Sequence, residues 1–254
     1  MPALAHQTFL LPGKFDWTVG EKVDVALTSA LTFPNFEGGP APDRLARVVV
    51  SVGGAELGPV SFEEGKAALH LRFTADRPGT AMVAISSKPR HGAIPAEDAD
   101  TYFDEIGADA AIRAAFHALP PGTPLQRSYS KHAKAWLCID ACGKDGQSTA
   151  MPLNQPLEFI AAAAPRAFVL LRDGAPLAGH AVTIVAADQG QQETLTDAAG
   201  TLRLDPALKG VVMLTAVVIT VPARPEGTYH SDYATLTLDL GVAGGKGASA
   251  GDGD

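Results

Sequence analysis

The sequence predicts an all-β protein, built as two immunoglobulin-like β-sandwich domains with a short helical insertion between them. Three observations carry this reading. Apolar residues alternate with polar ones at period two along most of the chain, the mark of strands with one buried face. Gly 26 and Pro 19 in 254 residues exceed the ~7% and ~5% of average usage, and many stand between the alternating runs, where turns belong. Helical spacing is confined to residues 95–119.

The first sandwich, 6–94, rests on the alternations Val23, Val25, Leu27; Val48, Val50, Val52; Leu69, Leu71, Phe73; and Met82, Ala84 against Val83, Ile85. Turns fall between them at Pro34-Asn35, Gly38-Gly39-Pro40, Gly53-Gly54 and Arg77-Pro78-Gly79, at the spacing of a sandwich. The helical insertion, 95–122, opens at Pro95 with Glu97, Asp98, Asp100, Asp104 and Glu105 early and Arg113 and His117 late, as the helix dipole favours. Gly107 divides it into two helices, with Tyr102, Phe103 and Ile106, then Ile112, Phe116 and Leu119, as packing faces. Pro120-Pro121-Gly122 ends it.

Residues 123–164 join the domains through a strand at 133–139, a loop at 143–148 and a linker at 161–164. The second sandwich, 165–240, holds strands at 167–171, 182–186, 201–204, 211–221 and 233–240. Its longest apolar run, 210–223, is too short for the ~20 residues of a membrane-spanning helix, and its β-branched residues read as a buried strand. Residues 241–254 carry no periodicity and read as a disordered tail.

Composition narrows the function. With 46% hydrophobic and 19% charged residues the chain can bury a real core. Lys+Arg 20 against Asp+Glu 28 leaves a net charge of −8, which argues against nucleic-acid or anionic-membrane partners, because neutralising phosphates needs a cationic excess. The G-x-S-x-G pattern at 247–251 lacks the strand-to-helix elbow that makes such a serine a nucleophile. No Walker loop or H-E-x-x-H motif occurs, so the chain reads as a non-enzyme. Cys138 and Cys142 have no second Cys or His pair nearby, which argues against zinc; a disulfide and two free thiols both remain open.

Seven histidines supply the candidate ligands. His70 beside Arg72, His117 at a helix end and His180 in a turn have structural explanations. His91, His132 and His230 stand at strand margins among polar neighbours, Asp232 included, where sandwiches place binding residues. Ala3-Leu4-Ala5 matches the small-residue pattern of signal-peptidase sites, although the charged and apolar regions of a signal peptide are missing. Cleavage after Ala5 would leave the amine and imidazole of His6 as a bidentate chelate for Ni(II) or Cu(II).

Several segments, taken in order, resemble the DUF4198 family of bacterial periplasmic proteins. They are AHQTFLLP from Ala5, VGEKVDV from Val19, SKP from Ser87, IPAE from Ile94, Tyr102-Phe103, SYSKHAKA from Ser128, GAPLAG from Gly174, TDAAG from Thr196 and DYATL from Asp232. The resemblance implies two immunoglobulin-like sandwiches, periplasmic export, a mature terminus near His6 and a part in nickel or cobalt uptake. The expected function is therefore capture of Ni(II) or Co(II), with Cu(II) or Fe as alternatives. The ion would pass to an inner-membrane metal importer or come from an outer-membrane receptor. Its expected ligands are His6, His132 and His230, with Asp232 as ligand or hydrogen-bond acceptor and His91 in reserve. The competing expectation is an interaction module of an envelope transport system without metal. A carbohydrate-binding sandwich is weaker, since only Trp17 and Trp136 could serve as sugar platforms.

Overall fold

The computed structural model describes residues 6–142, 148–224 and 226–241. The Ala3–Ala5 pattern, most of the 143–148 loop, the G-x-S-x-G pattern and nearly all of the expected tail lie outside them. In chain order the strands are β1 (Gln7–Pro12), β2 (Asp16–Trp17), β3 (Lys22–Ala30), β4 (Leu45–Val52), β5 (Ala55–Glu56), β6 (Ser61–Glu64), β7 (Leu69–Thr74), β8 (Gly79–Ser87) and β9 (Arg90–Ile94). Helices α1 (Ala99–Glu105) and α2 (Ala110–His117) follow. Then come β10 (Leu125–Ile139), β11 (Leu157–Ala161), β12 (Ala167–Arg172), β13 (Ala175–Pro176), β14 (Ala181–Ala186), β15 (Gly190–Leu195), β16 (Thr201–Arg203), β17 (Val211–Thr220) and β18 (Tyr229–Asp239). Among the described residues no helix is long and apolar enough to cross a membrane.

The all-β sandwich architecture is the one the sequence predicts, but the two sandwiches are not separate. A ten-stranded sheet, ordered β15-β14-β17-β18-β10-β8-β4-β5 with β2 and β9 also on β10, runs through both. Its two halves join where β10 and β18 pair in parallel, from Arg127 opposite Tyr229 to Ala135 opposite Thr237. Successive side chains of a strand point to opposite faces, so β10 serves two cores at once. Ala133, Ala135, Leu137 and Ile139 face the four-stranded sheet β1-β3-β7-β6 and pack with Leu10, Val25, Leu71 and Phe73. Trp136 faces the other way, into the core under β11-β12-β13 and β16, where it stacks on Phe168 at 5.7 Å. Burial on both faces explains why this stretch reads as a near-continuous apolar run rather than an alternation.

The helices cover the end of the sheet where β10 begins. Phe103 and Phe116 meet edge-to-face at 5.6 Å and pack with Leu125 and Tyr229. The division at Gly107 has a backbone cause, since φ of +61° there is readily adopted only by glycine. Asp109 then caps α2, its carboxylate accepting from the Ile112 N–H at 2.8 Å. At the opposite end of β10, Cys138 and Cys142 form a disulfide with their Cα atoms 5.3 Å apart, which resolves the alternative left open by their spacing.

Candidate functional site

The parallel pairing of β10 and β18 sets Ser128 opposite His230, Ser130 opposite Asp232 and His132 opposite Ala234. Alternation puts Ser128, Ser130 and His132 on one face of β10, and the register adds His230 and Asp232 to that face. There the two imidazoles converge on one carboxylate oxygen: His132 Nε2 lies 3.0 Å and His230 Nε2 3.3 Å from Asp232 Oδ1. Each ring is held from behind by a serine, His132 Nδ1 at 3.0 Å from Ser86 Oγ and His230 Nδ1 at 2.7 Å from Ser128 Oγ. Gln155 Nε2 donates to Ser86 Oγ at 3.2 Å and to the Ile85 carbonyl at 2.7 Å, tying this support to the segment before β11.

Exposure grades across the group, with side chains 3% exposed at His132, 16% at Asp232 and 30% at His230. One end is thus anchored in the protein while the other meets solvent. Burial alone would raise the Asp232 carboxyl; the hydrogen bond and field of His132 and the proximity of His230 outweigh it and hold the group below the usual carboxylate range. The carboxylate therefore stays charged at neutral pH, between two imidazole rings.

Of the residues expected from the sequence, four share this face. His91, on β9, is exposed and stands opposite Ser128, the residue that holds His230. His6 does not join them. Its carbonyl accepts from Lys131 Nζ at 2.6 Å and its imidazole pairs with Glu37 at 3.2 Å. Lys131 precedes His132 in the strand and points to the opposite face, so the sheet itself stands between His6 and the other four. On the His6 side, burial and the nearby Arg127 and Arg90 push the Lys131 ammonium down to about 8.

Among the described residues no group of three or more His, Cys, Asp or Glu side chains stands arranged as a ready metal site. His132, His230 and Asp232 are satisfied by hydrogen bonds to one another, so an ion would have to displace two N–H···O contacts. The supporting Ser86, Ser128 and Gln155 were not singled out from the sequence. A signal was present in the polar residues at 128, 130, 132 and 134, all of one parity in a strand. The remaining histidines are structural: His70 Nδ1 lies 3.1 Å from the Asp24 carboxylate, His117 Nε2 2.9 Å from Asp100 Oδ1, and His180 Nε2 donates to the Val217 carbonyl at 2.9 Å. Trp136 is buried and Lys14 lies over the Trp17 ring at 4.5 Å, so neither tryptophan is an open sugar platform.

No curated protein matches the chain. Two solved structures align along most of it at low similarity. The D0-D1 domain of intimin is 10% identical over 91% of this chain and 97% of that one, with a TM-score of 0.21. The Yersinia pseudotuberculosis adhesin InvE is 13% identical over 91% of this chain and 58% of that one, with a TM-score of 0.23. Likeness this loose transfers no function. The sequence pattern of one family matches residues 3–220, and the chain accordingly belongs to DUF4198, a domain of unknown function.

Proposed function

We propose that this protein is a non-enzymatic, periplasmic metal-binding protein that takes up a divalent transition-metal ion at His132, Asp232 and His230 and passes it to an inner-membrane importer. The observation that supports the reading is the convergence of two imidazole Nε2 atoms on one ionised carboxylate oxygen, each ring oriented through its other nitrogen by a serine. Histidines that bind metals are characteristically held in this way through the second nitrogen. An entering ion would bind at the two Nε2 atoms, with each ring's single proton moving by way of solvent from Nε2 to Nδ1, where it would donate to the serine oxygen. Rotation of the partly exposed His230 would be needed to make room for the ion, and His91, paired with Ser128 on the neighbouring strand, is the further candidate ligand. Two or three imidazoles with one carboxylate suit Ni(II) or Co(II), with Cu(II) or Fe as alternatives; affinity alone favours copper.

Calorimetric titration of the full chain with nickel, cobalt and copper chlorides tests this. One ion should bind per chain, with affinity falling about 10–100-fold in His230→Ala and Asp232→Asn, and falling on acidification as protons compete for the rings. Saturable binding that both variants leave intact would move the site elsewhere. A flat titration with all three ions would sink the metal reading and favour an interaction module of an envelope system.

A further inference from the structure

The face of the central sheet opposite the histidines carries a second site with different chemistry. Beside the helices, a pocket of about 250 Å³ is lined by His6, Glu105, Arg127, Tyr129, Lys131 and Tyr233. Alternation along β10 puts Arg127, Tyr129 and Lys131 on one side, and the register brings Tyr233 opposite Lys131. The Arg127 guanidinium lies 5.0 Å from the Tyr102 ring centre and 5.1 Å from that of Tyr129, held between two aromatic rings. Lys131 Nζ lies 5.8 Å from the Tyr129 ring and 5.6 Å from the Tyr233 ring, with the His6 carbonyl as its hydrogen-bond acceptor.

These cations form no ion pair, although the Glu105 carboxylate lies near enough for Arg127 to act on it through space. Among the described residues no carboxylate lies within ion-pair distance of Arg127, Lys131 or Arg90, which stands opposite Tyr129 on β9. Glu105 is the one acid in the lining, and the chain as a whole carries net charge −8. An acidic protein that gathers three cations on one side of a sheet, orients two of them on tyrosine rings and leaves them outside any ion pair has the features of an anion receptor. Contact with aromatic rings does not consume the N–H donors of the Arg127 guanidinium, the ones that match a carboxylate bidentately. The volume falls below the ~300–1,000 Å³ of pockets for drug-sized ligands, which restricts the occupant to a small one.

We infer that the Arg127–Lys131 pocket binds a small organic carboxylate, its carboxylate held by the Arg127 guanidinium edge and the Lys131 ammonium and its carbon skeleton lying against Tyr129 and Tyr233. The pocket is separated from the histidine group by the sheet, so the inference is independent of the metal reading.

The test is calorimetric titration of the full chain with succinate, and separately with inorganic phosphate, in a buffer free of carboxylate and phosphate. Succinate should bind one per chain, and Arg127→Gln and Lys131→Gln should each weaken it at least about tenfold, the loss expected for a charge-assisted contact. Arg127→Lys, which keeps the charge but not the planar fork, should fall in between. Unfolding midpoints of the variants establish that each is folded, and Arg127→Gln should leave the ion titration unchanged. The inference is overturned if succinate gives no saturable signal at millimolar concentration, if folded Arg127→Gln binds it as the parent does, or if phosphate binds while succinate does not.

Discussion

The ammonium of Lys134 and the carboxylate of Glu158 are 1% and 0% exposed and form an ion pair between β10 and β11. Lys134 also donates to the Phe159 carbonyl at 3.0 Å, while Glu158 accepts from the N–H groups of Leu153 at 2.9 Å and Gln155 at 3.2 Å. Glu158→Gln keeps the shape and removes the charge. Lys134 is then a buried cation with one carbonyl acceptor, and the side-chain amide, with a single oxygen, can serve only one of the two backbone donors. Breaking a buried pair on one side costs about 3–5 kcal/mol. At about 2–4 °C per kcal/mol for a chain of this size, the melting temperature should fall by roughly 6–20 °C.

Burial already pulls the Lys134 ammonium below the ordinary lysine value, with Glu158 opposing that shift. Without Glu158 it should fall further, so the unfolded chain binds more protons than the folded one between that depressed value and the unfolded lysine pKa of about 10.4. The variant should therefore gain stability as pH rises from 6 to 9, where the parent gains less. The double variant Lys134→Met/Glu158→Gln removes the stranded charge and should come back to within about 1–2 kcal/mol of the parent. Urea unfolding at the two pH values measures all three. A loss under about 1 kcal/mol in Glu158→Gln, or a double variant no better than the single, would refute the view that an unpaired buried cation sets the cost.

Three further outcomes follow from the same structure. Reducing Cys138–Cys142, which closes a loop with a sequence separation of 4, should cost about 2 kcal/mol on the loop-entropy relation, read as a shift in urea midpoint with and without reductant. Burial holds the His180 imidazole below its usual value despite the Val217 carbonyl, so stability should be full above about pH 6.5 and decline as pH falls through the folded value; His180→Gln should flatten that slope in chemical denaturation at pH 5 to 7. A Cβ on Gly39 would meet the Ala68 carbonyl carbon at 2.4 Å and the Leu69 nitrogen at 2.6 Å, so Gly39→Ala should lose about 1–3 kcal/mol in urea unfolding through displaced backbone.

What the sequence made legible divides along a physical line. Strands such as β7 and β17 announce themselves because their own side chains carry the burial pattern, as in Leu69, Leu71 and Phe73 buried between half-exposed neighbours. The polar edge strand β15 carries no such signal, for the converse reason: its residues are almost all exposed and its pairing with β14 rests on backbone hydrogen bonds that leave no apolar mark. The first half of β10 is not legible in the sequence because Ser128, Ser130 and His132 look like a loop margin until something covers them. Once β18 lies alongside, all three are buried.

The same pairing decides the site. His132 and Asp232 are 100 residues apart in sequence and 3.0 Å apart in the fold. Residue chemistry could nominate His91, His132, His230 and Asp232, because each stands at a strand margin among polar groups. It could not assign them to a face, since a side chain's face depends on register and register depends on a distant strand. His6 failed at that step. The cleavage pattern, the family resemblance and chelate chemistry all point to His6 and none of them carries register, and one position along β10, from Lys131 to His132, is enough to place it across the sheet among the cations. That one-residue alternation is also why a single strand can present imidazoles to one side and ammonium and guanidinium groups to the other, two chemistries that would interfere if they shared a face, since a cation crowded by Arg127 and Lys131 would be repelled from the histidines.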